Sequence, residues 1–255
     1  MKDLLSYFDK VFVLTVPRLK ERQSLVRDRL TGINFEFFYG ADKAELTDDF
    51  LSANYHYDKK NSLSVTQLFK SMNTGEIACA LSHRMIYQAM VDNNWQHVLV
   101  FEDDVKPSVC INELEACLSQ LPSGWELCYF GYLKNERPGV GKKIKRRWYQ
   151  ILAALGLSKM PGAMIARTLP AHYSSHLFQA GFHDCTHAYA VSLSAARKLL
   201  AAQTPVVYRA DNLLSFLVLN GELNAFAVKH SLFDQEIFSN ASHASEVRDG
   251  ARISI

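Results

Sequence analysis

Three consecutive carboxylates, Glu102-Asp103-Asp104, follow the run His97-Val98-Leu99-Val100-Phe101. Carboxylates this close repel one another unless a cation or several hydrogen-bond donors offset the charge. A divalent ion is the economical offset. All-oxygen ligands suit Mg²⁺ or Mn²⁺, commonly held through one or two carboxylates together with substrate phosphates. The pattern therefore points to a diphosphate-bearing substrate. In an extended chain alternate side chains share a face, so Glu102 and Asp104 point toward one ion or nucleotide and Asp103 points elsewhere. The competing reading makes all three solvated turn residues that cap the next element.

The elements around this cluster are those of an α/β protein. Val11–Val16 reads as a strand, and Leu19, Leu25, Val26 and Leu30 fall at helical spacing after Pro17. Phe35–Tyr39 reads as a second strand closed by Gly40, and residues 41–74 as loops and short helices. Thr74-Gly75-Glu76 opens a helix over about 75–93, with Ile77, Ala80, Leu81, Ile86, Ala89 and Met90 on one stripe. Residues 97–101 form a buried strand that delivers the carboxylates at its carboxyl end. Further on, 113–121 reads as helix, 125–130 as strand and 131–162 as a long basic excursion. Strands at 187–191, 206–208 and 225–228 and helices at 194–202 and 211–219 follow, and the tail from Asp234 is polar. Alternating strands and helices imply a mostly parallel, Rossmann-like sheet flanked by helices, which binds ligands outside its strand carboxyl ends. Glu102-Asp103-Asp104 lies where that rule places a site.

A chain of 255 residues, 48% hydrophobic, suits one large domain. The expected division is into a nucleotide-binding half, 1–105, and an acceptor-binding half, 106–255. With 28 basic and 26 acidic residues, the overall field favours no polyanionic partner, and no nucleic-acid module is recognisable. The five cysteines, Cys79, Cys110, Cys117, Cys128 and Cys185, are scattered and lack CxxC spacing, which suits reduced thiols in a cytoplasm. Charges interrupt the apolar start MKDLLSYFDK, so it reads as no signal peptide, and a cytoplasmic location is expected. Lys142-Lys143-Ile144-Lys145-Arg146-Arg147-Trp148-Tyr149 reads as a solvated loop, or as a peripheral contact with an anionic inner membrane surface.

Four blocks stand out: Val11-Phe12-Val13-Leu14 with Arg18 and Glu21-Arg22; Gly75-Glu76 through Cys79 to Ser82-His83; Val98 to Asp104-Val105; and Thr186 to Ser192 with Ala195-Ala196 before Asp211. Together they resemble glycosyltransferase family 25, the lipooligosaccharide galactosyltransferases and their relatives. The resemblance spans most of residues 11–215. Departures are Thr15-Val16-Pro17, where the family commonly has an Asn-Leu pair, and the unmatched basic run 142–147. The resemblance implies the nucleotide-sugar transferase type A fold, a uridine diphosphate sugar donor (galactose being the prevalent sugar), Mn²⁺ or Mg²⁺, and inversion at the transferred carbon. It also implies a glycan or lipid-linked oligosaccharide acceptor, as in lipopolysaccharide synthesis.

Inversion requires a base on the acceptor side and positive charge on the leaving diphosphate. Asp211, opening a helix, is the first candidate base, and Asp184 is the reserve; a helix cap is the bland reading of Asp211. Glu102 and Asp104 are the expected metal ligands, with His230 as a third in preference to His243. Arg18 and Arg22 can present guanidinium forks to donor phosphates, or form a solvated helix face. Gly75 and Glu76 are candidate donor contacts or a helix cap. Ser82, His83, Glu102 and Asp103 complete the expected donor site, and Cys79 reads as core. The rival readings are a nucleotidyltransferase, which needs a glycine-rich phosphate loop absent from Thr15-Val16-Pro17-Arg18, and a non-catalytic carbohydrate-binding protein.

Overall fold

The structure, a computed structural model, describes residues 4–59, 70–134, 138–236 and 253. An eight-stranded sheet organises them. Its strands are β1 (Lys10–Thr15), β2 (Glu36–Tyr39), β3 (His97–Glu102), β5 (Leu127–Leu133), β6 (Ala171–His172), β7 (Leu177–Gln179), β8 (Asp184–Ser192) and β9 (Ala225–Val228). Their spatial order is β2-β1-β3-β8-β5-β9-β7-β6. Strands β4 (Val105–Pro107) and β10 (Phe233–Gln235) form a separate antiparallel pair.

Tracing the pairings across the sheet, β2, β1, β3, β5, β9 and β6 run one way, while β8 and β7 run the other. The expected mostly parallel arrangement therefore holds in strand direction, with one antiparallel strand, β8, inserted at the centre between β3 and β5. Val98–Phe101 and Thr186–Ser192 are buried without alternation, the mark of strands covered on both faces.

Eight α-helices are described: α1 (Lys20–Arg29), α2 (Asp48–Asn54), α3 (Thr74–Asn93), α4 (Leu114–Ser119), α5 (Val140–Ala154), α6 (Gly162–Ala166), α7 (Leu193–Ala202) and α8 (Ala210–Asn220). In α3, the Asn73 side chain accepts from the Glu76 amide at 2.8 Å and the Glu76 carboxylate accepts from the Asn73 amide at 3.0 Å, a reciprocal capping box. Asn94, at φ 54°, closes its far end in the left-handed region. Helices α3, α7 and α8 pack on one another, and α8 also packs on β8. Ser192 caps α7 by accepting from the Ala195 amide.

Two sequence expectations are overturned. The basic excursion contains a fifteen-residue helix, α5, in place of a loop. Val206–Tyr208 is no strand: Val206 makes one isolated bridge to Tyr55, and the Gln203 side chain accepts from the amides of Val207 and Tyr208. The polar tail begins with β10, and its remainder, including His243, lies outside the described residues apart from 253. So do residues 60–69 of the stretch expected to be loops and short helices.

Candidate functional site

The carboxyl ends of β1 and β3, the start of β8 and the first turns of α3 and α8 enclose a cleft of about 360 Å³. The directions explain the convergence: β8 is antiparallel to β3, so it begins where β1 and β3 end. Glu102, Asp103 and Asp104 all line the cleft, together with Thr15, Arg18, Arg22, Gly75, Glu76, Cys79, Ser82, His83, Cys185, Thr186, Arg209, Asp211 and Gln235.

The three carboxylates have different surroundings. Asp103 accepts from Thr15 Oγ1 at 2.6 Å and from Arg22 Nη1 at 2.9 Å, so β1 and α1 hold it in place. Burial raises its pKa, against which the Arg22 charge and the Thr15 hydrogen bond pull downward. The chain turns at Asp103-Asp104, so the extended-chain alternation ends at Glu102. Glu102 accepts from Thr186 Oγ1 at 2.6 Å and from Gln235 Nε2 at 3.1 Å. Burial pushes its carboxyl up, but His83 and the Thr186 hydroxyl outweigh this and leave it below the usual range.

Asp104 differs from both. Burial first, and then the charges of Glu102 and Asp103, push its carboxyl up to about 7. Its Oδ1 is buried with no hydrogen-bond partner, as is Nε2 of His83, which lies 3.6 Å from Glu102 Oε1, beyond hydrogen-bonding range. Nδ1 of His83 is occupied by the Tyr189 hydroxyl at 2.8 Å, which fixes the ring with Nε2 toward the carboxylates. The ligand atoms of Cys79, His83 and Glu102 lie within 4.8 Å of one another. Orphaned lone pairs beside a carboxylate, in a site rich in negative charge, fit a divalent cation. Glu102 and His83, whose ligand atoms lie close together, would hold it, with the unpartnered Oδ1 of Asp104 in the same cleft as the further oxygen. Cys79, expected as a core residue, lines the cleft wall; burial and the nearby carboxylates raise its thiol well above the ordinary pKa.

Asp211, in the first turn of α8, faces the same cleft and accepts from the amides of Cys185 at 3.2 Å and Asn212 at 2.8 Å. Burial raises its pKa, partly opposed by the Cys185 amide. That moves an aspartate toward the range useful for proton transfer. Cys185 reaches its position at φ 66°, an unusual conformation for a side chain other than glycine. Asp184 is not among the cleft-lining residues and forms an ion pair with Lys134.

The remaining expected residues fall into place unevenly. Arg18 lines the cleft and pairs through Nε with Asp42 at 2.6 Å; Arg22 serves Asp103. Gly75 lines the cleft, while Glu76 is held by the capping box and by Arg209 at 2.9 Å. Ser82 donates to the Ala78 carbonyl and accepts from the Ala41 amide, securing the turn after β2, where any Cβ on Gly40 would lie 2.3 Å from its Oγ. His230 is corrected: it does not line the cleft, and its Nδ1 lies 3.5 Å from Glu113 on the β4–α4 side. The imidazole that reaches the carboxylates is His83.

Sequence reasoning missed Thr15, Thr186, Gln235 and Arg209. Arg209 is the N-cap residue of α8 and lines the cleft with its Nε buried and unpartnered, a cation suited to a diphosphate. Its position two residues before Asp211 was the one available signal.

An acidic cluster and facing arginines thus line a cleft at the carboxyl edge of this α/β sheet. A family profile described as "Glycosyltransferase family 25 (LPS biosynthesis protein)" matches residues 8–214. The chain belongs to glycosyltransferase family 25. Among curated relatives, it is 27% identical over 205 residues to human "Inactive glycosyltransferase 25 family member 3", covering 77% of this chain and 29% of that protein. It is 24% identical over 207 residues to human "Procollagen galactosyltransferase 2", covering 76% and 28%. The chain thus spans less than a third of the length of these relatives. Among solved structures it is similar to the galactosyltransferase LgtC bound to donor and acceptor sugar analogues (9% identity, TM-score 0.37, 89% of this chain and 86% of that one). It is also similar to mouse xyloside xylosyltransferase 1 (12% identity, TM-score 0.38, 85% and 71%).

Proposed function

We propose that this chain is a metal-dependent, inverting glycosyltransferase that moves a sugar, galactose first among the candidates, from a uridine diphosphate donor to a hydroxyl of a glycan, as in lipopolysaccharide synthesis, on the cytoplasmic side. The observation that carries this reading is the set of unsatisfied ligand atoms on Asp104 and His83 beside Glu102, in one cleft with Asp211. The galactose assignment is supported by one relative named for it, and catalysis, despite relatives named inactive, by the coexistence of Glu102, Asp104 and Asp211 here.

Leu14, Val16 and Leu19 supply an apolar wall for the uracil ring, and Arg18 and Arg209 face the diphosphate. Glu102, Asp104 and His83 would hold a Mn²⁺ or Mg²⁺ ion, whose charge would offset that on the departing diphosphate. Asp211 accepts the proton of the acceptor hydroxyl as its oxygen attacks the anomeric carbon from the face opposite the leaving group, which breaks the bond to the diphosphate. Asp103, held by Arg22 and Thr15, fixes the turn that aims Asp104.

Slow hydrolysis of a panel of uridine diphosphate sugars, with Mn²⁺ and with chelator, tests this without knowledge of the acceptor. Metal-dependent turnover of one donor, lost in Asp104→Ala, is expected. Binding of glycan without metal or nucleotide would instead favour the non-catalytic reading.

A further inference from the structure

Helix α5 is amphipathic the wrong way round for a surface helix. Arg146 donates to the Ala166 carbonyl at 3.3 Å, Ala153 faces Gly162 of α6, and Gln150 and Leu152 are half-buried, so a side with a single large apolar residue packs on the body. Val140, Ile144, Trp148, Ile151 and Leu155 follow at spacings of four, four, three and four, which puts them on one stripe. These five side chains are 49% to 72% exposed, and Leu157, just beyond, is 71% exposed. A soluble helix normally turns such a stripe inward.

Charge identifies the occupant. Lys142, Lys143, Lys145 and Arg147 flank the stripe, and no Asp or Glu occurs between Glu136 and Asp184. A second copy of this helix would set cations against cations with nothing to offset them. An anionic lipid surface meets both halves of the pattern: acyl chains take the apolar stripe and headgroups take the lysines, whose stems snorkel outward. Trp148 and Tyr149 are residue types that settle at the boundary between headgroups and chains. No described helix is long and apolar enough to cross a membrane, so insertion would be in the plane of the surface.

We propose that α5 is a membrane-docking helix that seats the protein on an anionic bilayer through Val140, Ile144, Trp148, Ile151 and Leu155. The inference is independent of the donor chemistry proposed above, because none of these residues lines the cleft. Docking would hold the cleft beside acceptors carried on lipid.

The test is co-sedimentation of the full chain with vesicles of phosphatidylcholine alone and of phosphatidylcholine mixed with phosphatidylglycerol. Binding to the mixed vesicles only, weakened by salt, is expected, since each basic residue near such a surface strengthens binding roughly fivefold. The double variant Ile144→Glu with Ile151→Glu should bind at least roughly tenfold more weakly, with unchanged thermal unfolding and unchanged hydrolysis of soluble donor. Emission of the wild type should shift blue on binding, and the shift should vanish in Trp148→Phe. Absence of binding to the mixed vesicles, binding that the double variant retains, or a dimer in solution that the double variant abolishes would each overturn the proposal. Donor hydrolysis in the same samples reports separately on the transferase reading.

Discussion

Replacing Asp104 by Asn should stabilise the protein without metal and destabilise it, relative to wild type, with metal. The Asp104 carboxyl stands at about 7 against an ordinary 3.8, because burial and its two acidic neighbours disfavour the charged form. A carboxyl whose folded pKa exceeds its unfolded one favours folding below the unfolded value, and that stability is lost as pH rises toward the folded value. Across that window, about pH 4 to 7, the metal-free wild type loses at most roughly 4 kcal/mol through this group, each pKa unit being worth about 1.4 kcal/mol. Asn has nearly the same shape and no charge, so Asp104→Asn should match the wild type near pH 4 and exceed its stability by up to roughly 4 kcal/mol near pH 8. Excess Mn²⁺ should stabilise the wild type through linkage to the folded state and leave the variant nearly unmoved. Urea unfolding at both pH values, with chelator and with Mn²⁺, reads all four conditions. If Asp104→Asn proves less stable than the wild type at pH 8 in chelator, the charge-frustrated site described above does not exist.

Other perturbations probe separate parts of the site. Asp211→Asn should lower the transfer rate by about 10²- to 10⁴-fold with little change in donor affinity, measured by steady-state kinetics once an acceptor is known. Arg22→Leu would leave Asp103 buried without its charged partner, so thermal unfolding should show a loss of about 3 kcal/mol. Gly40→Ala should be destabilising by about 1–3 kcal/mol, because the new Cβ meets Ser82 Oγ, and Ser82→Gly in the same chain should restore part of that loss.

What the sequence made legible follows from physical range. Helix α3 combines a capping box with a sustained stripe, both local signals, and its observed span, Thr74–Asn93, differs by one residue at its start from the expected one. Strand β3 was legible because a β-branched run buried on both faces has few alternatives. The central antiparallel β8 was not, since local pattern carries no strand direction. Helix α5 read as a loop because its charges and flanking glycines outweighed an apolar stripe that has no inward face to match.

The site divides in the same way. Glu102, Asp104 and Asp211 were legible by residue type and by position at element ends. His230 was expected as a ligand because it follows an apolar strand, whereas His83, expected as a donor contact, is aimed at the carboxylates by Tyr189, a partner 106 residues away. Thr186 and Gln235 reach Glu102 from 84 and 133 residues away, and no local spacing reveals such contacts.

The most direct measurement is calorimetric titration of the wild type with uridine diphosphate, with Mn²⁺ present and with chelator. Binding is expected only with the metal, and its loss in Asp104→Asn would tie it to the carboxylate cluster. Equal binding in chelator, or no binding under either condition, would contradict a metal-assisted nucleotide site in this cleft.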